Sequence, residues 1–335
     1  MERISAKDQE NTPSGLSIGE HTASWLGFGA AGIGNLYRSV PDDVAASTVD
    51  AAWEAGIRYF DTAPHYGLGL SERRLGAALA KRPREEFVLS TKVGRLLEPN
   101  PDYVTGAMDP DGFAVPANVV RRWDPSEAGV RRSIEESLAR LGVDHIDIAY
   151  LHDPDAYDLD SGIEEGLPAL ERLRDEGLVG AIGVGSNSVE ALARCVRSAN
   201  LDLVMLAGRY TLLEQPAAAD LLPACLENGT GVVNVGVYNS GLLARPEVPD
   251  DAHYNYASAP PSVLAAARRL AACCEEYGVD LPTAALQFSM RHPAIRSVVV
   301  GAARPEQIRQ TAERAATHVP EELWSELEPR GLVQA

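Results

Sequence analysis

Eight short apolar runs, separated by seven stretches with helical spacing, recur along the 335 residues and limit the fold more than any other feature. The runs are Trp25–Gly29, Arg58–Asp61, Phe87–Lys92, Ile146–Leu151, Gly180–Gly185, Leu203–Leu206, Gly231–Val235 and Ser297–Val300. Helical patterns fill the intervals: Asp42–Gly56, a segment opening at Ser71, Glu127–Leu141, Ile163–Glu176, Val189–Ser198, Pro216–Asn228 and Val263–Met290. Strands that alternate with helices pair in parallel, because a parallel neighbour needs a crossover and a helix supplies it. With no linker between units, the expected fold is α/β: a single (β/α)8 TIM barrel with an N-terminal hairpin and long loops at its C-terminal face. A doubly wound sheet is the alternative, but no G-x-G-x-x-G joins a strand to a helix with an acidic residue about 20 positions on. Residues 1–20 are expected to be a flexible N-terminal segment and residues 21–335 one barrel domain.

In a barrel all strands point the same way, so residues at their carboxyl ends meet on one rim. Asp61 ends the second run, Lys92 ends the third, and His152 directly follows the fourth. Tyr66 lies in the loop after Asp61, where Pro64 and Gly67 interrupt regular structure, and Ser71 is the expected N-cap of the helix carrying Leu75, Ala78 and Leu79. Taken singly, each has a plain structural role: a turn carboxylate, a solvated strand end, a rim histidine, a packed aromatic. The polar stretch Gly94–Asp124 carries Pro99, Pro101, Pro110 and Pro116 and is too long for a connector. Beside such a rim it is a candidate substrate lid.

The segment Phe60-Asp61-Thr62-Ala63-Pro64-His65-Tyr66-Gly67, continued by Ser71-Glu72-Arg73-Arg74-Leu75-Gly76, resembles the "FDTAxxYGxGxSExxLG" signature of the aldo-keto reductases. "LSTKVG" around Lys92 and "AYLHDPD" around His152 complete the family's order of aspartate, tyrosine, lysine and histidine. The resemblance implies an oxidoreductase in which Asp61, Tyr66, Lys92 and His152 are catalytic. Tyr66 would exchange a proton with the substrate oxygen while hydride passes between its carbon and a nicotinamide. A phenol near pKa 10 is a poor base, so a buried Lys92 ammonium is expected to favour the phenolate and Asp61 to keep that ammonium charged. His152 would polarise the substrate oxygen.

The resemblance also implies cofactor contacts. Gly183-Val184-Gly185-Ser186-Asn187 is similar to the family's "GVSN" with one glycine inserted, which assigns Ser186 and Asn187 to the nicotinamide carboxamide. Tyr238 would stack on the nicotinamide, and Ser240, Gly241 and Leu242 would form the pyrophosphate loop, with Gly29 and Ala30 beneath the cofactor. The family's glutamine under the ring aligns with Ala207. Where many NADP-dependent relatives clamp a 2′-phosphate with a lysine and an arginine, this chain has Gly301 and Gln307, with Arg304 between them. Losing two cations favours NAD over NADP. Gly94 stands where many aldehyde-reducing relatives carry a tryptophan, which would leave room for a polar ring. Longer stretches, such as "SLARLGVDHIDIAYLHDPD", are similar to the branch that oxidises the anomeric carbon of a sugar such as L-fucose, L-galactose or D-arabinose to a lactone. Pyridoxal oxidation, general carbonyl reduction and a non-catalytic nucleotide-binding barrel are the competing readings.

Charge and composition narrow the partners. A formal net charge of -18 disfavours nucleic acid, whose binding draws on clustered Lys and Arg. Cys195, Cys225, Cys273 and Cys274 show no metal-ligand spacing and are expected to be buried thiols. No run of about 18 apolar residues and no apolar leader is present, so a cytoplasmic protein acting on a small polar substrate is expected.

Overall fold

A computed structural model describes residues 16–18, 21–255 and 257–334. Its centre is a closed barrel of eight parallel strands: β1 Leu26–Gly29, β2 Tyr59–Asp61, β3 Val88–Val93, β4 Ile146–His152, β5 Val179–Ser186, β6 Leu203–Ala207, β7 Gly231–Val235 and β8 Ile295–Gly301. Neighbours follow chain order around the barrel and β8 closes onto β1. The expected fold is therefore the observed one.

Strand periodicity decides what each face does. On β3, Val88, Ser90 and Lys92 face the barrel interior, while Leu89 and Val93 pack outward against the helices. The interior is filled by Tyr59, Val88, Ile148, Tyr150, Leu203, Met205, Val233 and Val299, each aliphatic member worth roughly 1.5–3 kcal/mol of burial. Two glycines make room for the two tyrosines. A β-carbon at Gly27 would stand 2.9 Å from the Tyr59 ring, and one at Gly183 would stand 2.9 Å from Tyr150 and 2.2 Å from the Leu203 carbonyl oxygen.

The helices follow the sequence pattern with two corrections. Helix Glu127–Leu141 is capped by the Ser126 hydroxyl, which accepts from Gly129 N–H, and stops at Gly142 in the left-handed region (φ 69°). Ser71 is not an N-cap. Helix Leu70–Leu79 begins one residue earlier, and the buried Ser71 hydroxyl donates to the Ala30 carbonyl and bonds the Thr62 hydroxyl, tying the helix to the rim. The segment Val263–Met290 is two helices, Pro261–Glu276 and Leu281–Phe288. Gly278 (φ 69°) ends the first and Asp280 caps the second through Thr283 N–H.

Two excursions leave the barrel. Leu16–Ile18 pairs antiparallel with His21–Ala23, and the buried Leu16 joins the interior cluster with Val88, Ile148 and Ala181. Residues 1–15, 19 and 20 of the expected flexible segment lie outside the described residues. The stretch 94–124 is a built hairpin, Arg95–Pro99 against Val119–Trp123. Arg121 pins it with two 2.7 Å bonds to Asp109 and one of 2.8 Å to the His65 carbonyl. Among the described residues no helix is long and apolar enough to cross a membrane, and all four cysteines are buried free thiols.

Candidate active site

The last inward-facing position of each strand defines the rim, and the rim is divided. Three adjacent strands, β2, β3 and β4, present Asp61, Lys92 and His152. The other five, β5 to β8 and β1, present Gly185, Ala207, Val235, Gly301 and Gly29. One half carries all the chemistry and the other is bare.

On the polar half, Lys92 Nζ donates to Asp61 Oδ2 at 2.7 Å and to the Thr62 carbonyl at 2.9 Å, with the two residues 2% and 3% exposed. Tyr66 comes from the tight turn after β2, which Gly67 (φ 62°) lets approach so closely that a β-carbon there would stand 2.1 Å from the Gly34 carbonyl oxygen. Lys92 Nζ lies 4.7 Å from the Tyr66 ring centroid. Phe113, delivered by the long excursion, stacks on Tyr66 at 6.0 Å, and His152 meets it edge-on at 5.9 Å. The four residues separated in sequence therefore meet at one point.

The electrostatics correct one expectation. Burial pushes the Tyr66 phenol above its ordinary value, Lys92 pulls it down, and Asp61 raises it again, so the net shift is upward where a depression was expected. Burial alone would discharge Lys92, but Asp61 and Tyr66 more than offset it and its pKa is raised. Burial, reinforced by the cations Arg95 and Lys92, holds His152 well below the usual imidazole range, so it is neutral at pH 7.

Beside this set stands a second polar group. Arg95, at the start of the hairpin, donates to Asp153 Oδ2 at 2.5 Å and to His65 Nδ1 at 3.2 Å. Arginine has no acceptor, so Nδ1 of His65 accepts and its proton sits on Nε2. Burial and Arg95 lower the His65 pKa to about 2, which agrees with that neutral tautomer. Asp153, held at φ 44°, also lies 3.5 Å from His152 Nε2. The room expected beside Gly94 is taken: a β-carbon there would stand 2.5 Å from Trp123, whose indole stacks on Tyr157 at 5.1 Å. No periodicity in the sequence marks Trp123, because a hairpin strand brings it back to the rim.

On the bare half the expected cofactor residues divide. A β-carbon on Gly301 would meet only the Gly29 carbonyl at 3.9 Å, and one on Gly185 would come no nearer than 3.6 Å to Met205. Ala30 lies buried below, its N–H donating to the Asp61 carbonyl. The loop 239–241 has three successive left-handed residues, Asn239, Ser240 and Gly241, and a β-carbon on Gly241 would face open space. Leu242 is buried and offers the rim only backbone. Arg304 is exposed, and Gln307 Oε1 accepts from Ala303 N–H at 2.9 Å.

Two assignments do not survive. The Ser186 hydroxyl donates to Asp155 and accepts from Ser188 N–H. Because side chains alternate along a strand, the extra glycine shifts the serine by one position and turns it to the outer face. Gly185 takes the rim position instead, while Asn187 next to it is exposed. Tyr238 is also absent from the rim. It packs with the core between barrel and helices, its hydroxyl buried beside Arg314 and Thr311 of helix Pro305–Ala316 without a bond of good geometry. Val235 holds the rim position on that strand.

A flat polar group laid across the bare half would meet backbone and small side chains, with its edge toward Lys92, Tyr66 and His152. The residues present therefore fit a nicotinamide dinucleotide. A family model described as the aldo/keto reductase family matches residues 25–329. The chain is 54% identical over 309 residues to a D-threo-aldose 1-dehydrogenase of a Pseudomonas species, covering 92% of this chain and 94% of that one. It is 38% identical to a pyridoxal 4-dehydrogenase of Microbacterium luteolum, with 93% and 95% covered. Among solved structures, a glycerol dehydrogenase from Gluconobacter oxydans superposes with a TM-score of 0.75 at 24% identity, covering 94% of each chain.

Proposed function

The chain belongs to the aldo/keto reductase family, and from that premise we propose that this oxidoreductase is an NAD(P)-dependent aldose 1-dehydrogenase, oxidising C1 of a cyclic sugar to the lactone. The observation that carries this reading is the divided rim, with Asp61, Lys92, Tyr66 and His152 gathered opposite a floor of three glycines, Ala207 and Val235. The 54% identity to a D-threo-aldose 1-dehydrogenase supports a sugar as substrate.

In the oxidation Tyr66, as phenolate, accepts the proton of the C1 hydroxyl. Lys92 stabilises the phenolate, and Asp61 keeps Lys92 charged and aimed. The neutral His152 ring hydrogen-bonds the same substrate oxygen and fixes its direction. A bound nicotinamide dinucleotide supplies the acceptor for the C1 hydride. Gly29, Gly185, Gly301 and the loop Asn239–Gly241 would hold it, with the exposed Asn187 at the edge. Arg95, Asp153 and the Nε2–H of His65 offer donors and an acceptor to the remaining sugar hydroxyls.

NAD is the assigned cofactor. Gln307 accepts from the Ala303 N–H, and Arg309 lies 3.7 Å from Glu306, which leaves Arg304 as the cation available to a 2′-phosphate. Four buried thiols suit a reducing compartment, and we assign the protein to the cytoplasm as one barrel domain. The stacked pair Trp123 and Tyr157 favours a second reading, in which an aromatic hemiacetal such as that of pyridoxal is oxidised. Formation of NADH or NADPH over a panel of L-fucose, L-galactose, D-arabinose, pyridoxal and small aldehydes tests both. Turnover on sugars with NAD is expected; activity confined to aldehyde reduction contradicts the reading.

A further inference from the structure

Below the rim lies a line of buried hydroxyls that the reaction, as derived, does not use. Tyr150 Oη is 3.2 Å from Tyr59 Oη, Tyr59 Oη is 3.1 Å from Ser90 Oγ, and Ser90 Oγ is 2.7 Å from Asp61 Oδ1. All three hydroxyl residues are fully buried. Their proton assignments follow from valence, because an ionised carboxylate only accepts and a hydroxyl has one proton. Asp61, ionised beside Lys92, accepts from Ser90. Ser90 Oγ is placed to donate to either neighbour, but its single proton goes to the shorter bond to the carboxylate, which leaves the 3.1 Å bond to be donated by Tyr59 and the 3.2 Å bond by Tyr150.

The hydroxyls therefore donate in one direction, all toward Asp61. Packing does not require them, since phenylalanine would fill the same space and a buried hydroxyl costs stability unless bonded. Gly27 and Gly183 nonetheless keep clear the places the two rings occupy. The remaining interior neighbours at this level, Met205, Val233 and Val299, are apolar, so the chain has one polar outlet. Cooperative donation draws negative charge away from Asp61. Less of that charge then opposes ionisation of Tyr66, and the Lys92 charge is left freer to favour it.

We propose that Ser90, Tyr59 and Tyr150 are positioning residues for the oxidation, a one-way donor chain that spreads the Asp61 charge down the barrel axis and so makes Tyr66 a better proton acceptor. This rests on the reading of Tyr66 given above, and it goes beyond the four rim residues.

The test compares Ser90→Ala, Tyr59→Phe and Tyr150→Phe with the unaltered enzyme. The rising limb of kcat against pH in sugar oxidation moves to higher pH, by about one unit in Ser90→Ala, less in Tyr59→Phe and least in Tyr150→Phe. Each unit lowers kcat about tenfold at a fixed pH below the limb. Titration of the Tyr66 ring carbon by NMR in the cofactor-free protein, its signal assigned by loss in Tyr66→Phe, moves in the same order. Unmoved limbs and titrations in all three variants, with Tyr66→Phe inactive, overturn the chain and leave the Tyr66 assignment standing. Full activity in Tyr66→Phe removes that assignment and the chain's role with it.

Discussion

Lys92 and Asp61 form an ion pair with almost no access to water, Nζ to Oδ2 at 2.7 Å with side chains 2% and 5% exposed. Such a pair is poor evidence for stability, but breaking it is costly because one charge is left buried and unmatched. Asp61→Asn is expected to lower unfolding free energy by about 3–5 kcal/mol and abolish turnover. The double change Asp61→Asn with Lys92→Met should recover most of that stability and none of the activity. Denaturant midpoints and kcat measured side by side check this, and a double variant as unstable as the single contradicts it.

The two neutral histidines make the fold acid-sensitive. The folded pKa values of His65 and His152 are depressed, the first to about 2, while unfolded histidine titrates near 6.5. Below pH 6.5 the unfolded chain binds protons that the folded one refuses, so stability present above that pH is lost as pH falls. The slope is about 1.4 kcal/mol per unit for each histidine. Urea unfolding at pH 7.5, 6.5 and 5.5 should show a slight fall across the first interval and a larger one across the second, with smaller falls in His65→Gln. A flat profile to pH 5.5 would show that these rings are protonated in the folded state.

The bare half of the rim gives a paired prediction. Ser186→Ala removes a hydroxyl bonded to Asp155 on the outer face, so the KM for NAD should change less than about twofold, with stability down by roughly 1 kcal/mol. Gly185→Leu adds a side chain on the inner face beside Lys92 and should weaken dinucleotide binding at least about tenfold, since one misplaced group in the floor displaces the ring. Fluorescence titration with NADH checks both. Equal losses would return Ser186 to the rim.

Arg95 is expected to act on the sugar more than on the cofactor. It holds Asp153 and His65 together while nearly buried. Arg95→Gln leaves the half-buried Asp153 without its cation, and kcat/KM for the sugar should fall about a hundredfold while NADH binding is kept. A variant that loses both equally would place Arg95 in the scaffold alone.

Much of this arrangement was legible in the sequence because the barrel repeats one unit and sets its carboxyl-end residues on one rim. Asp61, Lys92 and His152 could be placed from where apolar runs stop, and Tyr66 from the turn signals that follow. What was not legible depends on parity and on return paths. One extra glycine before Ser186 inverts which side chain faces inward, and the linear pattern "GVGSN" does not state where the strand ends. Trp123 and Phe113 reach the site from a hairpin whose register the prolines of residues 94–124 conceal. Tyr59 and Tyr150 look like ordinary barrel filler until the distances between their hydroxyls are known. The upward shift of the Tyr66 phenol is likewise invisible in the sequence, because it comes from a depth of burial that outweighs Lys92.

The most direct measurement is kcat for NAD-linked sugar oxidation by Tyr66→Phe beside its NADH affinity. The expected result is a loss of at least about a thousandfold in kcat, the scale of a removed acid–base group, with NADH binding within about twofold of the unaltered protein. Turnover retained at the unaltered rate would contradict the central claim that the phenol at the meeting point of Asp61, Lys92 and His152 takes the substrate's proton.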